Sequence, residues 1–337
     1  MAPAFAAATA VTMGEPAGIG TEVTLKAWIE RAKNGLEPFF LIADPGDVGV
    51  ASAALNLGVT VSEISAPEDA PNVFKTALPV LRQDLPSAVA AGAPNPANAA
   101  AVLAAIERAA TFAIAGTVNG VVTNPIHKET LAKAGFPFSG HTDYLGHLAG
   151  DVPTVMMLVG DSLKVVPATV HVGLREAIAS LTPDLLIRCA EITAAALRDD
   201  FSIAVPRLVF AGLNPHAGEG GMFGFEETMV IAPAVEALRQ RGVDVRGPLA
   251  ADSLFHVGAR TTYDAAICMY HDQALIPIKT LDFDRAVNIT LGLPFVRTSP
   301  DHGTAFDIAG KNVANPGSLV QAILLAQSVS RTRSGGA

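Results

Sequence analysis

Cysteine, tryptophan and tyrosine are scarce in this chain: its 337 residues include two cysteines, one tryptophan and three tyrosines. Cys189 and Cys268 each stand alone in an apolar context, which excludes a disulfide framework and indicates buried thiols in a reducing compartment. Charged residues make up only 16% of the chain, whereas 50% of the residues are hydrophobic. A large aliphatic core is therefore expected, and intrinsic disorder is not.

Basic residues are also in deficit. Lysine and arginine number 23 against 32 acidic residues, the net charge is −9, and there is no long basic run. This balance argues against a nucleic acid or an anionic membrane as partner. The start MAPAFAAATAVTM lacks a cationic segment before its apolar stretch, and the Ala-rich stretch 96–116 contains Glu107 and Arg108. We therefore expect a cytoplasmic protein with no membrane span, whose uncharged surface is suited to oligomer contacts.

Two common nucleotide-binding signatures are missing. Gly14, Gly18 and Gly20 in the segment GEPAGIG lack the spacing of the classical dinucleotide-binding glycines, and no lysine follows to complete a P-loop. The simplest interpretation of this segment is a turn from a strand to a helix. The alternative is a tight turn beside a ligand, with Glu15 pointing inward.

Apolar runs alternate with helical patterns, which predicts an α/β fold with a largely parallel sheet. The predicted strands are Ala8–Met13, Pro38–Ala43, Val59–Ile64, Val118–Thr123, Thr154–Val159, Leu163–His171, Arg207–Leu213 and Ala265–Tyr270. The predicted helices are Thr21–Lys33, Asp47–Leu57, Pro96–Ala115 (with Asn95 as its cap), Pro183–Arg198 and Phe225–Arg241, while 75–94 is expected to be irregular. The length suits two lobes, and no linker separates them, so one lobe is expected to be discontinuous in sequence.

Three histidines, His171, His216 and His271, stand at or just past the ends of predicted strands. Ligands collect at the carboxyl ends of strands in open α/β sheets, and three imidazoles with an open position describe a metal site. The spacing is long and irregular, however, so the spacing itself favours the alternative that each histidine bonds a backbone group, and the position at strand ends narrows that preference without reversing it.

Residues suited to binding an anion occur elsewhere. Ser139-Gly140-His141-Thr142 could begin a helix whose free N–H groups receive a phosphate, although a plain capping role for Thr142 is the alternative. Lys279, Asn288 and Arg297 are expected on separate strands or turns. The two cations need counter-charges in so apolar a region, which a phosphate, a carboxylate, or Asp272 and Asp282 could supply.

The stretch 301–316, DHGTAFDIAGKNVANP, has the composition of an irregular loop that could wrap a flat polar heterocycle. Gly303 and Gly310 allow close backbone approach, and His302 and Asn315 offer stacking and hydrogen-bonding edges. An ordinary connection before the last helix is the alternative. The sequence of this stretch resembles the adenosine-binding loop of the isopropylmalate and isocitrate dehydrogenases. This resemblance favours a binding site for a nicotinamide dinucleotide.

Seven motifs in order carry a wider resemblance. They are GEPAGIG, TNPIHKETL, SGHTDYL, LNPHAGEGG, ADSLF, MYHDQALIPIK and VNITLGLPFVRTSPDHGTA, lying between Val11 and Leu319. They resemble the 4-hydroxythreonine-4-phosphate dehydrogenase family of vitamin B6 biosynthesis. The resemblance implies a homodimer with the two-lobed isocitrate/isopropylmalate dehydrogenase-like fold and an active site in the interdomain cleft, completed by the partner subunit. The predicted division is a dinucleotide-binding lobe, 1–140 with 300–337, and a metal, substrate and dimerisation lobe, 141–299.

The same resemblance assigns roles to individual residues. It implies a divalent metal, with zinc first and magnesium or cobalt as alternatives, on His171, His216 and His271 in a site shared between subunits. The implied substrate contacts are His141, Thr142, Lys279, Asn288 and Arg297. The implied dinucleotide contacts are His302, Gly303, Ala305 and Asn315, with NAD favoured over NADP.

The implied reaction oxidises a phosphorylated hydroxy amino acid to a beta-keto acid that loses carbon dioxide. Lys279 is the first candidate for proton transfer, because a lysine beside a cation in a dry cleft holds its proton less tightly. Asp272 and Asp252 are alternative bases or supporting groups. Oxidation of phosphothreonate or phosphoerythronate, a metal-dependent hydrolase or lyase, and a non-catalytic binding protein remain as alternatives.

Overall fold

The computed structural model describes residues 7–335, so part of the N-terminal stretch interpreted above, Met1–Ala6, lies outside the described residues. The chain forms two compact units. Of the described residues, the first contains 7–152 and Leu293–Arg331, and the second contains Pro153–Gly292 and 332–335. The first unit is thus assembled from two separate stretches of sequence.

The described residues form a mixed α/β structure, as predicted. The strands are β1 (Thr9–Thr12), β2 (Phe39–Ala43), β3 (Val61–Ile64), β4 (Leu78–Arg82), β5 (Gly120–Thr123), β6 (Val155–Val159), β7 (Lys164–Pro167), β8 (Arg207–Ala211), β9 (Asp244–Leu249), β10 (Ala265–Cys268), β11 (Val287–Leu291) and β12 (Arg297–Pro300). The helices are α1 (Gly20–Ile29), α2 (Arg31–Asn34), α3 (Pro45–Ala54), α4 (Ala70–Val73), α5 (Ala99–Ile114), α6 (Lys128–Lys133), α7 (His141–Leu148), α8 (Leu174–Ser180), α9 (Pro183–Asp199), α10 (Ala232–Gln240), α11 (Val257–Arg260), α12 (His271–Asp282) and α13 (Gly317–Arg333).

In the first unit the strand order is β3-β4-β2-β1-β5-β12, and the paired strands are parallel. Parallel strands are covered on both faces, which is why β2 reads as the continuous apolar run FFLIA and is buried throughout. The segment 75–94 was predicted to be irregular, and that prediction was wrong for β4. Apolar side chains of Leu78, Val80 and Leu81 are buried there despite Pro79.

One helix in the described part of the chain, Pro96–Ile114, is long and apolar enough by composition to cross a membrane, and 50% of it is buried inside the protein. Ala105, Ile106 and Ala109 of this segment pack in the core of the first unit. Asn95 begins this segment by accepting a hydrogen bond from the backbone N–H of Ala97, as predicted. Half-burial of this kind is typical of a core helix in a soluble protein.

In the second unit the strand order is β11-β6-β7-β10-β8-β9. The pairs β11–β6 and β6–β7 are antiparallel, whereas β7, β10, β8 and β9 are successively parallel. A core that includes Leu158, Val165, Val209 and Ile278 packs on this sheet. The carboxyl ends of β7, β10 and β8 therefore lie side by side at one edge of the unit.

Helix α7 and strand β12 belong to the first unit, although the sequence-based division placed 141–299 in the second lobe. The reason is long-range packing. Tyr144 of α7 donates a hydrogen bond of 2.5 Å to Glu107 on α5. Strand β12 pairs with β5, with Arg297 opposite Val121. As a result His141, Thr142 and Arg297 are all in the first unit.

Candidate active site

The first group of candidate residues surrounds the start of α7. This helix begins at His141, and Gly140 occupies the N-cap position with no side-chain cap. Thr142 therefore lies in the first turn, and the alternative that it caps the helix was wrong. The first backbone N–H groups of a helix have no partner within it, so they can bind an anion.

The imidazole of His141 is enclosed beside this helix start. Its Nε2 is buried and has no hydrogen-bond partner within residues 7–335. Burial, and secondarily the charges of Arg297 and Lys128, hold the pKa of His141 well below its usual range. His141 is consequently neutral at pH 7 and has two cations nearby.

Arg297, on β12, is a buried cation, with only 3% of its surface exposed. Its Nη2 donates a hydrogen bond of 2.6 Å to the hydroxyl of Thr123 at the end of β5. Burial lowers the pKa of Arg297 to about 9, so the guanidinium remains charged at neutral pH. A buried guanidinium beside a neutral imidazole and a helix N-terminus is well suited to a phosphate or carboxylate.

The second group lies at the carboxyl ends of three adjacent parallel strands. His171 follows β7, His271 follows β10 and His216 follows β8, which confirms the predicted strand-end positions. Thr169 donates a hydrogen bond of 2.8 Å to the carbonyl of Met269, tying the segment after β7 to the segment after β10. This tie helps explain why His171 and His271 approach each other.

His171 and His271 line a pocket of about 190 Å³ together with Val172, Leu174, Tyr270 and Asp272. Their ring centroids are 5.8 Å apart. Two imidazoles on one tetrahedral zinc ion, each with an N–Zn bond of about 2.0–2.1 Å, place their ring centres roughly 5 Å apart. The observed spacing is slightly wider than this value, so a small approach of the two rings would let both bind one ion.

Asp272 supports one of these rings. His271 Nδ1 is 2.6 Å from the carboxylate of Asp272, a contact that favours the tautomer with the proton on Nδ1 and with Nε2 as the acceptor. A carboxylate on the far nitrogen is the usual partner of a metal-binding imidazole, because it fixes the tautomer and the orientation of the ring. Asp272 is thus better suited to positioning His271 than to acting as a base.

His216 lies on an unusual backbone turn. Five successive residues, 216–220, have positive φ angles of 53°, 52°, 77°, 41° and 67°, and three of them are not glycine. The buried carboxylate of Glu227 holds this turn by accepting hydrogen bonds from the backbone N–H of Asn214 at 2.7 Å and its side-chain amide at 2.9 Å. Glu227 opens a π-helical turn, Glu227–Ile231, a feature that is frequent near functional sites.

The structure brings only part of the predicted metal site together in one protomer. His216 is not among the residues lining the pocket of His171 and His271. No group of three His, Cys, Asp or Glu side chains within residues 7–335 is arranged to hold a metal ion. The chemistry of the donors fits a divalent ion, but a single protomer presents two converging imidazoles.

The remaining predicted polar residues are dispersed over the second unit. Lys279 lies within α12, so its predicted position on a strand or turn was wrong. Asn288 is on β11, and its Oδ1 is buried without a hydrogen-bond partner in the described chain. Asp252 is exposed on a short 3₁₀ turn, Ala251–Ser253.

The stretch 301–316 is irregular, as predicted, and packs against the GEPAGIG segment. Ile19 donates a hydrogen bond of 3.1 Å to the carbonyl of Thr304, and a Cβ on Gly18 would lie 2.9 Å from the same oxygen. His302 Nδ1 contacts the carbonyl of Gly303 at 2.9 Å, and Ala305 has a φ of 46°. The side-chain oxygen of Asn315 accepts from Gly317 at the start of α13.

Two further residues stand out in the first unit. Glu15 is buried, so the inward orientation is the observed one, and burial raises the pKa of its carboxyl group. Lys128, at the start of α6, was not selected from the sequence although it lies within TNPIHKETL. Its position shortly after the end of β5 is the signal that could have identified it.

Strand-end histidines and a polar group suited to an anion, His141 with Arg297 (the anion-binding cluster below), are features of an enzyme active site. Residues 37–326 match the family of the pyridoxal phosphate biosynthetic protein PdxA, and the chain belongs to that family. It is 53% identical over 329 residues to a 4-hydroxythreonine-4-phosphate dehydrogenase of Methylorubrum populi, covering 96% of this chain and 94% of that protein. These relationships confirm the resemblance found in the motifs.

Solved structures of similar fold support the same family membership. The fold is similar to that of a 4-hydroxythreonine-4-phosphate dehydrogenase from Klebsiella pneumoniae, with a TM-score of 0.86 and 37% identity over 96% of this chain and 100% of that one. It is also similar to a terephthalate 1,2-cis-dihydrodiol dehydrogenase from Burkholderia xenovorans LB400, with a TM-score of 0.63 and 30% identity over 96% and 98% of the two chains. The protein is therefore an enzyme of the oxidoreductase class, in a family of dehydrogenases that implies a nicotinamide cofactor.

Proposed function

We propose that this protein oxidises 4-phosphohydroxy-L-threonine, with NAD favoured over NADP, in the cytoplasmic synthesis of pyridoxal 5'-phosphate. The observation that carries the proposal is the anion-binding cluster of His141 and Arg297 in a member of the PdxA family. A buried arginine beside a neutral histidine and a helix start favours a phosphorylated substrate.

In this reaction His141, Thr142 and Arg297 hold the phosphate group. The enclosed Oδ1 of Asn288 is an acceptor for a hydroxyl or ammonium group of the substrate. Lys279 takes the proton of the substrate hydroxyl, while the carbon that bears this hydroxyl transfers a hydride to the nicotinamide. The dinucleotide is bound by the loop that contains His302, Gly303, Ala305 and Asn315. The product is a beta-keto acid. When its bond to the carboxylate breaks, carbon dioxide leaves, the electron pair of that bond passes into an enolate, and protonation of the enolate carbon gives 3-amino-2-oxopropyl phosphate.

A divalent ion, zinc in the first instance with magnesium or cobalt as alternatives, would be held by His171, His216 and His271. When bound, such an ion supplies a Lewis acid for negative charge that develops on the substrate oxygen. We propose that two protomers complete this metal site, since one protomer brings together only His171 and His271.

The proposed homodimer is supported by exposed apolar side chains near these histidines. Phe225 and Met229 follow the turn of His216 and are 68% and 70% exposed. Val172 and Leu174, beside His171, are also exposed. Adjacent exposed apolar residues of this kind mark interaction surfaces.

We expect the protein to have twice the chain mass of 34.7 kDa in solution. Phe225→Asp with Met229→Glu should shift it to the monomer and reduce metal content, because charges at a buried interface are strongly unfavourable. Light scattering after size exclusion measures this mass. Val50→Asp is the matched control, since Val50 is 69% exposed on α3 of the first unit. A wild-type monomer with full activity would overturn the shared-site proposal.

The function is tested by assaying purified enzyme with 4-phosphohydroxythreonine, 4-phosphothreonate and 4-phosphoerythronate, each with NAD and NADP, with and without a chelator. We expect the highest kcat/KM with 4-phosphohydroxythreonine and NAD, and loss of turnover with chelator. A higher kcat/KM with 4-phosphothreonate or 4-phosphoerythronate would identify that compound as the substrate instead. Consumption of substrate without nicotinamide reduction would favour a hydrolase or lyase instead.

A further inference from the structure

Lys128 lies directly against the start of helix α7. A methyl group built on Gly140 would be 3.4 Å from Lys128 Cε and 3.7 Å from its Nζ. Gly140 immediately precedes His141, so the ammonium lies beside the first backbone N–H groups of α7. Lys128 is also close enough to His141 to contribute to the low pKa of that imidazole.

This placement is electrostatically unfavourable unless an anion is present. The N-terminus of a helix carries partial positive charge, so cations are ordinarily disfavoured there and anions are stabilised. Here Lys128 and the buried Arg297 both act on His141 beside the same helix end. Asp143 is the acidic group that acts on Lys128, and it also accepts a hydrogen bond from Ser139.

Lys128 also differs from its neighbour on α6. Lys133 forms a salt bridge of 2.7 Å with Glu129. No such ion pair within 4.0 Å engages Lys128 among residues 7–335. Partial burial lowers the pKa of Lys128, and this effect outweighs the opposing charge of Asp143.

We propose that Lys128 is a second cationic contact for the phosphate group of the substrate, together with Arg297, and that it helps select phosphorylated substrates. A phosphate monoester carries a charge of roughly −1.5 to −2 at pH 7, which two cations and a helix start can balance. The inference rests on the proposed function and adds a specificity residue to it. Lys128 is exposed at the surface, so it can meet the phosphate as the substrate enters.

The test compares wild type with Lys128→Ala, Lys128→Arg and the control Lys133→Ala. For Lys128→Ala we expect KM for 4-phosphohydroxythreonine to rise roughly tenfold with kcat nearly unchanged, the loss typical of one charge-assisted hydrogen bond. Lys128→Arg should recover most of this loss because it keeps the charge, and Lys133→Ala should resemble wild type. An unchanged KM in Lys128→Ala, or an equal rise in Lys133→Ala, would overturn the inference.

Binding of inorganic phosphate, measured by isothermal titration calorimetry without substrate or dinucleotide, separates this inference from the proposed function. We expect the affinity to fall in Lys128→Ala and to persist in Lys133→Ala. If wild type turned over none of the phosphorylated substrates but still required Lys128 to bind phosphate, the proposed function would fail and the anion contact would stand. Equal phosphate affinity in wild type and Lys128→Ala would refute the contact even in an active enzyme.

Discussion

His271→Ala is expected to lower both the affinity for divalent metal and the rate of oxidation by at least about a thousandfold. The imidazole of His271 supplies one ligand atom to the proposed ion. The 2.6 Å contact of Nδ1 with Asp272 favours Nε2 as that atom. Removing a direct metal ligand removes the Lewis acid along with it. Metal content after dialysis, measured by mass spectrometry, and visible absorption of the cobalt-substituted protein report binding independently of turnover.

Two further variants sharpen this prediction. Asp272→Asn retains the ligand but weakens its orientation, so a smaller loss of metal affinity, about 10- to 100-fold, is expected. His256→Asn is the control: His256 is an exposed histidine of the same unit that caps α11 through Gly258 and Ala259, and asparagine can keep that cap. A His271→Ala protein with full metal content and normal turnover would remove His271 from the metal site.

The sequence located candidate residues correctly where their position depends on the residues next to them in the chain. His171, His216 and His271 were located correctly because each follows an apolar run that forms a buried parallel strand. The irregular stretch 301–316 was likewise predictable, since its glycines and asparagines disfavour regular structure. The family assignment depended on long motifs in order, not on any single residue.

Features that depend on distant packing were not predictable. Lys279 was expected on a strand or turn, but the helix that begins at His271 continues through Pro277 to Asp282. The placement of α7 in the first unit depends on the contact of Tyr144 with Glu107, 37 residues earlier in the chain. In the sequence Lys128 looks like an ordinary surface lysine. Its approach to Gly140 and the salt bridge that Lys133 forms with Glu129 distinguish the two lysines in the structure.

Arg297→Ala is expected to raise KM for the phosphorylated substrate by about 100-fold or more, a larger effect than for Lys128. Arg297 is buried, and truncating one member of a buried charged pair costs about 2–5 kcal/mol, much of it from the charge left without a partner. Arg297→Lys should restore little, because an ammonium cannot reproduce the planar fork of donors of a guanidinium. Steady-state kinetics with 4-phosphohydroxythreonine measures the effect.

The matched control is Arg331→Ala, which removes an exposed arginine that pairs with Glu37 at 2.5 Å in the same unit. We expect it to leave KM within about twofold, because exposed ion pairs contribute little. A second readout distinguishes substrate binding from folding: inorganic phosphate should raise the melting temperature of wild type and Arg331→Ala but not of Arg297→Ala. If phosphate protected a folded Arg297→Ala protein as well as it protects wild type, the phosphate group would have to bind elsewhere, and the anion-binding cluster would lose its role in choosing the substrate.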